Sequence, residues 1–211
     1  VVGQEHITDT LQRQVAEGRT GHAYLFTGTR GTGKTTCARI LAKAINCLHP
    51  VDGAPCNQCE ACRGIDEGRL LDITELDAAS NNGVDSVRAL REEAVYTPSV
   101  LKKRVYIIDE VHMLSTPAFN ALLKILEEPP EHLVFILATT ELHKVPATIL
   151  SRCQRYSFKR ILPRDIARQL RYIAGEEQID LTPDGADILA RMAGGAMRDA
   201  LSLLDQCRSF E

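Results

Sequence analysis

The stretch GTRGTGKT at residues 28–35 constrains this chain more than any other, because it fills every fixed position of the phosphate-loop pattern G-x-x-x-x-G-K-[ST]. The apolar run Ala23–Thr27 (AYLFT) precedes it as a strand, and a helical pattern from Lys34 to about Ile45 follows. Glycines let backbone N–H groups curl around phosphate oxygens without Cβ clashes. The N-terminus of the helix behind them favours an anion. Gly28, Thr29, Arg30, Gly31, Thr32, Gly33, Lys34, Thr35 and Thr36 are therefore the candidate ATP-binding run. In such a loop the lysine, here Lys34, meets the β- and γ-phosphates, and the hydroxyl of Thr35 ligates Mg2+.

A strand–loop–helix unit needs a parallel sheet around it, and the remaining patterning supplies one. Ile7, Leu11 and Val15 recur at helical spacing before Gly18. Leu71–Leu76 reads as a second strand, Val84, Val87, Leu90 and Ala94 mark a helix, and Val105–Ile108 form a third strand. Thr116-Pro117 opens the next helix, with Thr116 as N-cap and Pro117 at its first position, and Pro129-Pro130 ends it. Leu133–Ala138 and Arg155–Phe158 give a fourth and a fifth strand. Alternating strands and helices predict a five-stranded parallel sheet covered by helices on both faces. From Pro163 the pattern is helical only: Thr182-Pro183 caps one helix, Gly194-Gly195 breaks it, and Met197–Ser209 supplies another. The expected division is residues 1–160 and 161–211, within the size range for one domain and a small second one.

The third strand runs directly into Asp109-Glu110. Two carboxylates at the end of an apolar strand are costly unless a cation sits nearby. Asp109 is the second candidate for holding magnesium, and Glu110 the candidate general base for an attacking water. The alternative is an acidic turn, but the Glu directly after the Asp favours hydrolysis over binding alone. Thr139 and Thr140 end the fourth strand. The spacing leaves open whether Thr139 contacts the γ-phosphate or merely belongs to a Thr-rich turn.

Four of the seven cysteines, Cys47, Cys56, Cys59 and Cys62, have the spacing C-x8-C-x2-C-x2-C. Four thiolates so clustered close a tetrahedral structural zinc site. Core or redox thiols are the alternative. An iron–sulfur cluster fits less well, since the ferredoxin run places its fourth cysteine downstream, before a proline. Cys37, Cys153 and Cys207 read as small buried hydrophobes. No apolar run reaches the roughly 18 residues that cross a bilayer, and the start of the chain lacks a signal-peptide pattern, so the expectation is a cytoplasmic protein with no membrane contact. The net charge of −3 advertises no polyanion partner, so contact with nucleic acid must be local or supplied by other subunits.

Several longer stretches carry a resemblance. They are VVGQEH at Val1–His6, HAYLF before the loop, the cysteine insertion and DEVHML at Asp109–Leu114. NALLKILEEPPEH at Asn120–His132, LATT, ILSRC at Ile149–Cys153 and GGAMRDALSLLDQ at Gly194–Gln206 complete the set. Across essentially its whole length the chain resembles the gamma/tau family of bacterial DNA polymerase III clamp-loader subunits, within the AAA+ ATPase superfamily. The resemblance implies an α/β AAA+ P-loop fold with a zinc-module insertion at about 47–66 and a small all-helical lid. It also implies that the fourth strand lies between the first and third, so that Thr139, Asp109 and Lys34 converge at the carboxyl edge of the sheet. By the same resemblance Arg152 is an arginine finger that reaches a neighbour's γ-phosphate, and Arg198 is the second sensor. Thr139 is the first sensor, with Thr140 as the alternative, and Val1 and Val2 edge the adenine pocket. From the residues alone, Arg152 is a surface cation and Arg198 a helix ion-pair partner.

The implied ligands are ATP, Mg2+ and Zn2+. The implied partners are other clamp-loader subunits in a hetero-pentamer, the sliding clamp and primed DNA, with ATP binding shaping the assembly and hydrolysis releasing the clamp. Nothing resembles a nucleotidyl-transfer site. The family's segment before VVGQ, with its Arg-Pro and aromatic residues, and its third, collar domain lie outside this sequence. The expectation is thus a stretch of the first two domains, monomeric by itself. Two rivals are a nucleotide-binding scaffold without turnover and a helicase suggested by Asp109-Glu110-Val111-His112. The first predicts a damaged loop or a missing Glu. The second needs another RecA-like domain, for which the residues after the fifth strand are too few.

Overall fold

Short β-branched and aromatic runs make the strands here, and longer amphipathic runs wrap them. In the computed structural model, which describes residues 1–208, α1 (Glu5–Ala16) leads to β1 (Ala23–Thr27), and α2 (Lys34–Asn46) follows the phosphate loop. α3 (Glu60–Asp66) lies in the cysteine insertion, followed by β2 (Ile73–Asp77), α4 (Val84–Ala94) and β3 (Arg104–Asp109). Then come α5 (Thr116–Glu127), β4 (Leu133–Thr139), the short α6 (Ala147–Leu150) and β5 (Gln154–Ser157). α7 (Pro163–Glu176), α8 (Pro183–Met192) and α9 (Met197–Arg208) complete the described chain, and none of the described helices is long and apolar enough to cross a membrane.

The five strands are parallel in the order β2-β3-β4-β1-β5. β4 thus separates the loop strand from the acidic strand, and the register sets Thr27 opposite Thr139 and Asp77 opposite Asp109. The carboxyl ends of the strands are level, the edge at which open α/β sheets hold ligands. Successive residues of a strand face opposite sides. Leu25, Ile108 and Leu137 therefore pack with Leu90, Phe119 and Leu122 of α4 and α5, whereas Phe26, Ile107 and Ile136 pack with Ile7, Leu11, Leu41 and Ile45 of α1 and α2. Each fully buried side chain of this kind contributes about 1.5–3 kcal/mol. A third cluster, Ile161, Ile166, Leu170, Leu189 and Leu204 among its members, is the core of the helical lid.

Several elements differ locally from the expectations. β2 starts two residues after Leu71, which is exposed, because Asp72 turns inward. The Asp72 carboxylate accepts the N–H groups of Ser99, Val100 and Leu101 at 2.8, 2.8 and 2.9 Å, fixing the turn before β3. The cap of α5 is Ser115, not Thr116: its Oγ accepts the Ala118 N–H, which makes Thr116 the first helical residue. β5 ends at Ser157, and Phe158 leaves it to pack beneath Gly28. Cys207 is exposed rather than buried. The end of the last helix expected at Ser209 lies outside the described residues.

Candidate active site and cysteine centre

The phosphate loop is shaped by positions that exclude side chains. Gly28, at φ 143°, leaves a Cβ nowhere to go but 2.5 Å from the Phe158 carbonyl oxygen. Gly33 precedes α2 in the left-handed region, at φ 102°, and caps it with no side chain. With no acidic residue in its first turn, α2 presents free N–H groups to an anion. Lys34 is buried, and its Nζ donates to the Gly28 and Thr29 carbonyls at 2.8 Å. Burial lowers its pKa below the usual lysine value, Glu110 and Asp109 oppose that shift, and Arg198 adds to it. The ammonium therefore stands among acceptors and carboxylates, where a polyphosphate is its natural counter-ion.

Next to it, the Thr35 hydroxyl donates to Asp109 Oδ2 at 2.9 Å, joining the loop to the end of β3. A hydroxyl and a carboxylate oxygen so close are the hard donors that Mg2+ takes beside a phosphate, so the residues fit that ion. Glu110 follows in a left-handed conformation, φ 50° and ψ 44°, which for a non-glycine residue costs about 1–3 kcal/mol and is typical of functional turns. Its Oε2 accepts from Thr140 Oγ1 at 3.0 Å. Thr139, by contrast, is fully buried, with its hydroxyl oxygen 2.9 Å from His112 Nδ1 and accepting the Glu141 N–H at 3.0 Å.

Lys34, Thr35, Asp109 and Glu110 line a cleft of about 650 Å³, within the range of nucleotide-sized sites, whereas Gly28, Thr29 and Thr140 are not in its lining. Arg30 to Thr36, Asp109 and Glu110 make the polar end, while Val1, Val2, Ile161, Ile173 and Leu201 make an apolar end suited to a base. Arg198 and Gln169 reach the same cleft from the lid. Thr139 and Arg152 are not in its wall. Arg152 is exposed on another face, bound to Glu127 Oε1 at 3.1 Å and to the Thr148 carbonyl.

Gln4 and Gln169 are site residues that patterning did not single out. Gln4 is fully buried, donates to the Lys159 and Thr32 carbonyls at 2.7 and 3.3 Å, and accepts the Lys159 N–H at 3.0 Å. One amide thus clips the phosphate loop to the segment that enters the lid. Its sequence signal is its place in the VVGQEH stretch, after Gly3, whose φ is 71°.

The four clustered cysteines come together behind α2. Their Sγ atoms all lie within 4.8 Å of one another, with Cys47 and Cys59 at 3.9 Å. Zn–S bonds of about 2.3 Å place the sulfurs of a tetrahedral site roughly 3.8 Å apart, so the donor set fits zinc. Backbone N–H groups of Cys56, Gln58, Cys59 and Cys62 donate to the sulfurs of Cys47, Cys56 and Cys59, which favours their thiolates, whereas burial pushes the Cys62 thiol up to about 12. Cys59, as cap of α3, shows the effect: burial opposes its thiolate, yet the Leu48 and Cys62 N–H groups and the neighbouring thiols hold its pKa down at about 6. The module is tied to the main domain by Lys43, whose Nζ meets both Asp66 oxygens at 2.9 Å, and by Lys102, which donates to the Cys47 carbonyl.

A parallel sheet in this order, with a phosphate loop after β1, an acidic pair after β3 and a helical lid over the loop, is the AAA+ ATPase architecture. RuvB from Thermotoga maritima, a Holliday junction branch migration motor, shares the fold at a TM-score of 0.72 and 18% identity, over 99% of this chain and 62% of that one. Residues 3–161 match the family described as DNA polymerase III, delta subunit, and residues 165–210 match the DNA polymerase III clamp loader subunit, ATPase lid domain. The chain belongs to the family of DNA polymerase III clamp-loader subunits. It is 59% identical over its whole length to subunit tau of DNA polymerase III from Bacillus subtilis (strain 168), and 51% identical over 98% to that of Escherichia coli (strain K12). It spans 37% and 32% of those two relatives, about a third of their length.

Proposed function

We propose that this chain binds ATP in the cleft between its sheet edge and its lid and hydrolyses it, as a motor subunit of a clamp loader within the DNA polymerase III holoenzyme. Residues 1–160 then form the ATP-binding unit and residues 161–211 the lid. The observation that carries this proposal is the bond between Thr35 and Asp109, with the carboxylate of Glu110 standing beside it at the mouth of the loop. Magnesium supplies charge neutralisation on the phosphates when bound, and Thr35 and Asp109 would hold it.

The loop N–H groups and Lys34 orient the phosphates, and Arg198 adds a cation from the lid. Glu110 takes a proton from water as the water oxygen bonds to the γ-phosphorus. The bond to the β-γ bridging oxygen breaks, giving ADP and phosphate. Thr139 is the proposed first sensor, with Thr140, already bonded to Glu110, as the alternative, and Val1 and Val2 close on the base. Arg152, turned away from its own cleft, serves as the finger for an adjacent subunit. Cys47, Cys56, Cys59 and Cys62 would hold zinc, which would fix the module that follows α2. The partners in this proposal are the other loader subunits, the sliding clamp and primed DNA, in the cytoplasm, with the chain alone monomeric.

Glu110→Gln keeps the size and removes the base, so ATP binding should persist while turnover falls roughly 10²-fold or more. Lys34→Ala should weaken binding itself. Calorimetry and a phosphate-release assay separate the two effects, and a Glu110→Gln protein that turns over normally would sink the base assignment. A scaffold that binds ATP without chemistry would show no phosphate release even when assembled with its partners.

A further inference from the structure

The one-turn 3-10 helix Val111–Met113, which directly follows Glu110, buries a histidine beside the proposed base. The His112 side chain is only 5% exposed. Its Nδ1 lies 2.9 Å from Thr139 Oγ1 and 3.3 Å from Glu110 Oε2, and its Nε2 lies 3.2 Å from Glu141 Oε2. Glu141 is in turn anchored by Lys144 at 3.0 Å. A carboxylate only accepts, so the ring N–H faces Glu110 or Glu141 according to which nitrogen holds the proton. With partners on both nitrogens the ring has one orientation, and turning it over breaks every contact.

The consequence falls on Glu110. Its Oε2 is hemmed in by the imidazole and by the Thr140 hydroxyl, while no hydrogen bond to Oε1 is found among the described residues. One oxygen is thereby fixed and the other is left for the water. We propose that His112 is a positioning residue for ATP hydrolysis, which aims the Glu110 carboxylate by bridging it to Glu141 and to the Thr139 hydroxyl at the end of β4. This rests on Glu110 being the base.

The test contrasts shape with polarity. His112→Phe keeps the ring's bulk, whereas His112→Asn keeps a polar amide where Nδ1 stands. Since displacing a reacting group by about 1 Å costs on the order of 10²-fold, His112→Phe should lower single-turnover hydrolysis about 10- to 100-fold. Its affinity for ATP should stay near that of the unaltered protein, and His112→Asn should recover most of the loss. Glu141→Gln, which loosens the far anchor, should slow hydrolysis in the same direction by less. Without nucleotide, the ring 15N signals of His112 should move in both Glu110→Gln and Glu141→Gln.

Wild-type turnover in His112→Phe overturns the proposal. So do equal losses in Phe and Asn with ring signals unmoved by Glu110→Gln, which leave His112 a packing residue. If His112→Phe does not fold, the ring signals and Glu141→Gln decide. Glu110→Gln measured alongside separates the two claims. Normal turnover there removes the base assignment, whereas slow Glu110→Gln with normal His112→Phe removes only the role of His112.

Discussion

Gln4 bonds to carbonyls 28 and 155 positions away in the chain, at Thr32 and Lys159, from a site with no exposure. Gln4→Leu fills similar space but strands the Lys159 N–H and both carbonyls. It should cost roughly 1–3 kcal/mol, read as a lower urea midpoint, and weaken nucleotide binding because the loop loses its clip. Asp72 is the acidic counterpart. Burial raises its pKa, but the Leu101, Ser99 and Val100 N–H groups and Arg104 outweigh that and hold it below the ordinary value. A depressed folded pKa gives stability that is present above the unfolded value near pH ~3.9 and lost as pH falls through the folded one. Asp72→Asn should therefore destabilise at pH 7 by about 1–3 kcal/mol, with the difference from wild type shrinking below pH ~4, as urea titrations across pH would measure. Lys34, Thr35, Asp109 and Glu110 were legible in the sequence because their chemistry is written in contiguous residues. Gln4, Asp72 and His112 were not, since a neutral amide, a lone carboxylate and a lone imidazole acquire meaning only from partners that folding supplies.

At the scale of elements, the cysteine spacing announced a four-thiol cluster but not the helix inside it. α3 is seven residues with Gly64 in its midst, too short for an apolar period, and it starts because Cys59 caps it. Purified protein should contain about one zinc per chain by elemental analysis. Removing it with a chelator should lower the melting temperature and expose amides of residues 47–66 to hydrogen exchange first, leaving the phosphate loop protected longer. An unchanged melt would make the thiols ordinary core residues. The central strands were legible as unbroken apolar runs. The edge strands β2 and β5 were blurred by one or two residues, because an edge that is only partly covered selects its side chains weakly.

At the scale of the whole molecule, Arg152 and the lid concern how units meet. With Arg152, the proposed finger, engaged by Glu127 outside the cleft, the chain alone should turn ATP over slowly, lacking a cation whose loss costs roughly 10³- to 10⁵-fold in other P-loop enzymes. Arg152→Ala should then leave the isolated chain unchanged and abolish the stimulated rate in an assembled loader. Glu110→Gln subunits should rescue Arg152→Ala partners at complementary interfaces in a phosphate-release assay. A monomer as fast as the assembly would end the proposal. Helical patterning after Pro163 made the lid itself legible, but its seat was not, because that seat is made by backbone. The Met197 N–H donates to the Gly31 carbonyl at 2.8 Å, and a Cβ on Gly31 would stand 2.9 Å from that of Ala196. Gly31→Ala should accordingly weaken ATP binding more than it lowers stability, as paired calorimetry and melting would measure. The contact at Gly31 also makes α9 a lever whose fulcrum is the phosphate loop. Its 12 residues span about 18 Å, so a tilt of roughly 10° at Met197 sweeps the Arg208 end through about 3 Å. In the proposed cycle, a tilt of that size set at the phosphate loop would displace the far end of the lid by most of a side chain's width.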